Sequence, residues 1–412
     1  MHIKTSGLLF YAKMRRIIAI FSAFPWQYKY LSLILSPKEE GILNNMANLY
    51  IWQDSEWPKM KWQDSQLSKL LAEVNMLRGQ LAGRMSMFGF TEQSDTMLDA
   101  LTTEIVNSAE IEGQRLNRDS VRSSVARHLG IDTGGTVNED HYIDGVVQVM
   151  LNATQNHQKK LDAERLFDWH AALFPTGRSG MYKITVAEWR KGEEAMQVVS
   201  GAIGREKVHY QAPPSSDVPM MMDELLQWIE TENETDPLVK AAVAHLWFVT
   251  IHPFDDGNGR LCRTITEMLL ARADNTTRRY YSMSSEILKH RNDYYDKLEK
   301  TQKGELDITE WIEWFLTTLK AALTFSLNKT ENVIRKVAFW DKYRDTPLND
   351  RQRKVLNMLL DGFEGKLNSS KWYKINHCSQ DTATRDIKDL IDKGILRKTD
   401  EKGRSTSYEL RI

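Results

Sequence analysis

Residues 252–263 read His252-Pro253-Phe254-Asp255-Asp256-Gly257-Asn258-Gly259-Arg260-Leu261-Cys262-Arg263. A titratable ring, a carboxylate, a glycine-bracketed turn and two guanidinium groups follow one another within this dozen. Gly257 and Gly259 permit the backbone geometry and close approach that let N–H groups crowd around an anion. Beyond the turn, Leu261, Ile265, Met268 and Leu269 recur at helical spacing, which predicts a helix opening there. An anion on the turn therefore meets a helix N-terminus, where unpaired N–H groups and the dipole favour negative charge. Arg260 and Arg263, three apart, can both fork onto phosphate oxygens. Asp256 offers the hard oxygen that Mg2+ (or Mn2+) takes when it travels with phosphates. His252, four residues ahead of it, titrates near neutrality as a general base should. Singly, these features are commonplaces of structure; their order is what points to nucleotide chemistry.

Working outward, Asp236-Pro237 predicts the cap of a helix that runs through Ala241, Ala242, Leu246, Phe248 and Val249 into His252, with His245 as a satisfied core residue. Residues 195–201 and 207–210 are short β-like runs around a glycine-bearing turn, closed by Pro213-Pro214 before a helix over 218–230. Upstream, helical spacing predicts elements over about 65–88, 119–129, 139–155 and 163–174, with Gly130 and Gly134-Gly135 as breaks. Another helix is expected to start at Ser94 as its cap and to end at Gly113. Trp311, Trp314 and Phe315 read as core of a later helix. The reading is mainly α, without internal repeats.

The run 252–263 resembles the signature His-x-Phe-x-Asp/Glu-Gly-Asn-Gly-Arg-x-x-Arg of the Fic family at every fixed position. The resemblance implies a helical bundle with a β-hairpin flap, and an enzyme that transfers AMP from ATP, with Mg2+, to a Tyr, Thr or Ser hydroxyl of a target protein or of itself. It implies His252 as the base, Asp256 as the metal ligand, and Gly257, Asn258, Gly259, Arg260 and Arg263 around the phosphates. Tyr294 and Tyr295, near Asn292, fall where similar proteins enclose the nucleotide base. Val198, Val199 and Ser200 fall in the flap, whose edge would pair with the target by strand addition. The phosphorylating offshoot of the family carries Lys at the place of Gly259, so that chemistry is not expected.

A second motif, Ser108-Ala109-Glu110-Ile111-Glu112-Gly113, resembles the inhibitory signature Ser/Thr-x-x-x-Glu-Gly/Asn of the same family. It implies that Glu112 pairs with Arg263 and misplaces the α-phosphate of ATP, while Ser108 fixes the helix end. A displacement near 1 Å costs on the order of a hundredfold in rate. The same placement also allows Glu112 to orient a water for AMP removal, which would make the protein a bifunctional editor.

Composition bounds the rest. With 55 basic and 56 acidic residues the chain has no global field to attract nucleic acid or an anionic membrane. Two distant cysteines, Cys262 and Cys378, argue for a reducing, cytoplasmic setting and against a disulfide framework. Residues 1–45 differ in character from the rest of the chain, and their apolar run is too short to span a membrane. They read as an extension from a mis-assigned start, with Met46 as the expected first residue. The expected domains are then a helical region over 46–130 carrying the inhibitory helix, a catalytic domain over 131–330 and a winged helix-turn-helix over 346–412, after a polar linker at 341–346. In the last, the helix over about 379–392 takes the recognition position. Its Asp381, Asp386, Asp389 and Asp392 weigh against tight DNA binding, and docking or homodimer formation is an equal use. An ATP-sensing transcriptional regulator and a toxin with a separate antitoxin are the rival readings.

Overall fold

The computed structural model describes residues 50–131, 140–193, 195–200, 207–363, 365–399 and 406–411. The expectations on residues 1–45, Met46, the Gly134-Gly135 break and the flap turn at Gly201 lie outside the described residues. The chain is mainly helical and divides into two compact units. One gathers the chain up to Val74 with Ser94–Lys320, and the other gathers Asn75–Gln93 with the chain from Ala321 onward.

In order, the helices are α1 Asp64–Ser86, α2 Phe90–Ile111, α3 Arg118–His128, α4 His141–Gln155, α5 Ala163–Leu173, α6 Val218–Thr231, α7 Pro237–Ile251, α8 Asn258–Asp274, α9 Met283–Lys289, α10 Arg291–Gln302, α11 Thr309–Lys342, α12 Asp350–Leu360, α13 Ser369–Asn376 and α14 Gln380–Asp392. A short 3-10 helix, Ile51–Gln53, precedes them, and the strands form three antiparallel two-stranded ladders: β1 Arg178–Ser179 with β2 Tyr182–Lys183, β3 Gln197–Ser200 with β4 Lys207–Gln211, and β5 Leu396–Lys398 with β6 Tyr408–Leu410.

The first unit is built on α7 and α8. Every residue of α7 from Ala241 to Ile251 is buried, as a helix apolar on all sides must be. Asp236 caps it, accepting from the N–H groups of Leu238 (2.8 Å) and Val239 (3.4 Å), and Pro237 occupies the first turn, where a missing N–H costs nothing. α8 is buried from Arg260 to Ala271 although it carries arginines, threonines and a glutamate. Buried polar groups need partners, and most of these have them, Arg260 Nε and Glu267 Oε1 excepted. Thr266 donates to the Cys262 carbonyl (2.9 Å) and therefore accepts from His245 Nδ1 (2.9 Å). That leaves His245 Nε2 to accept from the Tyr294 hydroxyl (3.0 Å). His245 is thus held neutral in the seam between α7, α8 and α10, and burial lowers its pKa to about 3.

Two expectations need correction in this unit. Ser94 is not a cap: α2 starts four residues earlier, at Phe90, and Ser94 is buried inside it. Its end is as expected, with Gly113 left-handed at φ +79°. The β1–β2 hairpin carries no alternating apolar pattern, and periodicity did not reveal it; both strands are only two residues long.

In the second unit α12, α13 and α14 pack around Phe339, Leu356, Trp372, Ile387 and Leu396, followed by the β5–β6 ladder. Asn349, Asn368 and Ser379 cap the three helices. Helix α11 runs on to Lys342, into the stretch read as linker. Of the acidic residues expected on α14, one is internal and a second is tied down at the surface. Asp386 is buried beneath Arg351 (2.8 Å) and Asn349 (2.9 Å), one turn along from Ala383 and beside Ile387. Asp389 accepts from Gln352 (2.7 Å) and Lys393 (2.5 Å). These two carboxylates brace the helix, so Asp381 and Asp392 alone of the four are left without such a bracing role.

Candidate active site

The chain leaves α7 through His252, which adopts the left-handed conformation (φ 53°, ψ 59°) at the helix C-cap. A non-glycine residue there is strained unless its surroundings hold it. The holding group is Arg190, itself buried: its Nε donates to the His252 carbonyl (2.8 Å), its Nη2 to the Pro213 carbonyl (2.5 Å), and its backbone N–H to the Pro253 carbonyl (2.8 Å). No motif announces Arg190 in the sequence. His252 Nδ1 lies 3.2 Å from the Val249 carbonyl. A carbonyl only accepts, so Nδ1 carries the proton and Nε2 keeps its lone pair. Burial, more than any neighbouring charge, pushes the His252 pKa down, which keeps that lone pair free at neutral pH.

The turn after Phe254 is built as the glycines require. Gly257 is left-handed (φ 84°) and caps α8, whose first residue is Asn258. The Asn258 side chain does not face outward. Its Oδ1 accepts from the Phe254 N–H (2.9 Å) and its Nδ2 donates to the Phe254 carbonyl (2.7 Å), closing the loop on itself. Asp256 accepts from the Gly257 N–H (2.5 Å) and from the Ser179 hydroxyl, so the β1–β2 hairpin braces it. Its own carbonyl takes the Nε2–H of His170 (3.1 Å), whose ring stacks on Phe254.

The two arginines lie behind the turn. Arg260 donates to Gln114 Oε1 (3.1 Å) and to the Tyr142 hydroxyl (3.1 Å) and packs over the Phe174 ring; its Nε is buried without a partner. Arg263, buried, donates Nε to Ser108 Oγ (2.9 Å), Nη2 to the Ser108 carbonyl (2.8 Å) and Nη1 to Glu112 Oε1 (2.8 Å). Burial alone would lower its pKa, but the charge and hydrogen bond of Glu112 together with Tyr294 and Tyr295 outweigh it and raise it. Ser108 therefore holds the arginine, while the helix end is closed by the Gln114 N–H on the Ala109 carbonyl (3.0 Å). The Tyr295 hydroxyl lies 3.3 Å from the second Glu112 oxygen and 3.2 Å from the Ile111 carbonyl. Tyr294 is buried, with its hydroxyl on His245. Glu112 reaches so far over the turn that a Cβ on Gly259 would meet its Oε1 at 2.0 Å.

These groups surround one cavity of about 740 Å³, within the range of small-molecule sites. Its wall includes His252, Asp256, Gly257, Asn258, Gly259, Glu112, Tyr294, Tyr295 and the flap residues Val198, Val199 and Ser200. Arg260, Arg263, Ser108 and Gly113 are not on that wall. Gln114, Tyr142 and Ser179, which hold Arg260 and Asp256, lay outside any motif. Among the described residues no group of three or more His, Cys, Asp or Glu is placed to hold a metal, and no helix is long and apolar enough to cross a membrane.

Residues 160–270 match the profile of the Fic/DOC family. The family likeness is thus carried by a Fic domain over those residues, which include the run 252–263. Residues 50–131 match a second profile, described as a domain of unknown function (DUF4172). Among curated proteins, this chain is 27% identical over 210 residues to "Protein adenylyltransferase Fic" of Culex quinquefasciatus, covering 50% of this chain and 38% of that protein. It is 23% identical over 316 residues to the protein of the same name from Drosophila yakuba, covering 76% and 56%. The chain thus spans about half the length, or less, of these relatives. Among solved structures it is similar to a Fic family protein from Desulfovibrio desulfuricans G20 (22% identity, 84% of this chain and 95% of that one, TM-score 0.49). It is also similar to Fic-1 residues 134–508 from C. elegans (18% identity, 66% and 74%, TM-score 0.47).

Proposed function

We propose that this protein transfers AMP from ATP to a hydroxyl of a protein and that Glu112 restrains the reaction. The observation that carries the reading is the His252 tautomer. With Nδ1–H spent on Val249, Nε2 is a lone pair on the wall of a cavity that also holds the open N-terminus of α8. A polyanion fits there, drawn by unpaired N–H groups and the helix dipole. Nε2 takes the proton of the attacking hydroxyl as its oxygen bonds to the α-phosphorus, and pyrophosphate leaves. Catalysis is then mainly positioning and charge stabilisation.

A magnesium ion fits Asp256 in one respect. Mg2+ normally takes one or two carboxylates and completes its shell with phosphates and water. Asp256 is a cavity-wall carboxylate, and each of its oxygens keeps a second lone pair beside its present hydrogen bond. The ion would supply charge neutralisation on the phosphates.

The restraint rests on Arg263. With its guanidinium occupied by Ser108 and Glu112, it is withdrawn from phosphate, and Glu112 crowds Gly259 at the mouth of the cradle. Incubation with α-labelled ATP and Mg2+ in a lysate tests both parts. Glu112→Gly should label proteins at least about tenfold more strongly than wild type. His252→Ala, in the Glu112→Gly background, should lose about a hundredfold or more, the usual worth of a general base. Equal labelling with and without His252 would remove it from the chemistry, and no gain in Glu112→Gly would make Glu112 a structural charge.

A further inference from the structure

The flap carries a second chain of groups that the AMP-transfer reading leaves unused. β3 and β4 pair Val198 with Tyr210 and then Val199 with Val208, so His209 is the extra residue of a β-bulge. A bulge next to a site re-aims a side chain that strict alternation would send elsewhere. Here it brings His209 Nε2 to 2.5 Å from Ser200 Oγ, while Nδ1 lies 2.5 Å from Glu299 Oε2 on α10. The Glu299 carboxylate also takes Lys303 Nζ at 2.7 Å. Lys303 first, and His209 after it, hold the Glu299 pKa down to about 2, so Glu299 is an acceptor at any working pH. Nδ1 therefore carries the proton, and Nε2 accepts from the Ser200 hydroxyl. Nucleophile, base and orienting carboxylate stand in hydrogen-bond sequence, the arrangement that activates a serine wherever it occurs. All three residues line the same cavity as His252 and the α8 turn.

We infer that Ser200 is a self-modification site, an acceptor of AMP served by His209 and Glu299 rather than by His252. The inference rests on ATP being the nucleotide of the cavity. Ser200 Oγ bonds to the α-phosphorus, its proton passes to His209 Nε2, the bond from the α-phosphorus to the bridging oxygen breaks, and pyrophosphate leaves. The proton on His209 is then released to solvent, so that serine and ATP become adenylylated serine, pyrophosphate and one proton. The modified residue lies on the strand expected to pair with a target, so its AMP group would obstruct strand addition. Self-modification would thus limit the enzyme's own access to targets.

The test uses full-length Glu112→Gly protein with α-labelled ATP and Mg2+, followed by peptide mapping, beside a fluorophosphonate probe that reports activated serines without ATP. Ser200 should carry AMP and react with the probe. The AMP should vanish in Ser200→Ala, return in Ser200→Thr, fall about a hundredfold in His209→Gln, and persist on Ser200 in His252→Ala. AMP on other proteins with none on Ser200 overturns this inference alone. So does equal Ser200 labelling with and without His209, or loss of Ser200 labelling in His252→Ala. Absence of AMP from every protein, with the probe still taken up at Ser200, overturns the AMP-transfer reading and with it the donor named here.

Discussion

Gly259 and Glu112 divide one small space between them. A methyl group on Gly259 would lie 2.0 Å from the end of the Glu112 side chain and 3.2 Å from Arg263 Nη1. The carboxylate is the part able to move, so Gly259→Ala should push Glu112 off the buried arginine. Losing a charged hydrogen bond of this kind costs about 1–3 kcal/mol. Glu112→Ala should cost the same, and the double variant little more than either single one, because both remove one interaction. Denaturant unfolding of the four proteins reads this directly, and additive losses would mean that the two residues do not share the contact. His252 gives a prediction in pH. Its lowered pKa means that the neutral base persists as pH falls through 6.5, the ordinary histidine value. In the Glu112→Gly protein kcat/KM for ATP should therefore hold across pH 6.5 and decline only below it. A midpoint above 6.5 would show that some other group titrates. At this scale the motif made His252, Asp256 and the glycines legible, and Glu112 through its own shorter signature. Arg190, Gln114, Tyr142 and Ser179 were not legible, because each acts by reaching across the fold, and that distance leaves no spacing to read.

Among the elements, α7 and α8 were readable from apolar spacing and from the Asp236-Pro237 cap, and both begin where those signals stand. Ser94 resembles a cap in sequence, whereas in the structure it is buried inside a helix that already starts at Phe90. The His245 seam was legible only as core; its tautomer needed Thr266 and Tyr294 in place. That seam makes stability depend on pH. His245 has a folded pKa of about 3 against 6.5 when exposed, so its contribution is complete above pH 6.5 and is lost as pH falls toward 3. The full span is worth about 5 kcal/mol, and about 2 kcal/mol is gone by pH 5. Glu267, next to Thr266 on α8, works the other way. Burial raises it to about 7, so its folded state gains a proton, and with it stability, as pH falls through 7 toward 4.5. The wild-type curve sums both groups, and the informative quantity is the difference made by His245→Gln. Between pH 6.5 and 5 that variant should lose less stability than wild type, by close to one proton's worth of slope. Identical slopes would mean that His245 accepts a proton without opening the seam.

At the scale of the whole chain, the two units each have a buried core of their own, and that of the second is centred on Trp372, which is fully buried among Leu356, Ile387 and Leu396. In this unit the helix expected over about 379–392 is present as α14, Gln380–Asp392. The inward turn of Asp386 was not legible in the sequence, because a carboxylate on a helix gives no sign of which face its partner Arg351 will approach. Trp372→Ala should cost about 3–5 kcal/mol, as large aromatic deletions in cores do. The loss should fall on the second unit if that unit is a cooperative body in its own right. Hydrogen exchange on the full-length variant separates the cases. Amides of α12, α13 and α14 should lose protection by about the factor that this energy implies, on the order of a hundredfold or more, while those of α7 and α8 keep theirs. Equal loss in α7 and α8 would show a single cooperative molecule, in which damage far along the chain from His252 also disorders the histidine's left-handed cap. In the first case labelling by Trp372→Ala, Glu112→Gly protein should match that of Glu112→Gly alone for any target that the second unit does not help to recruit.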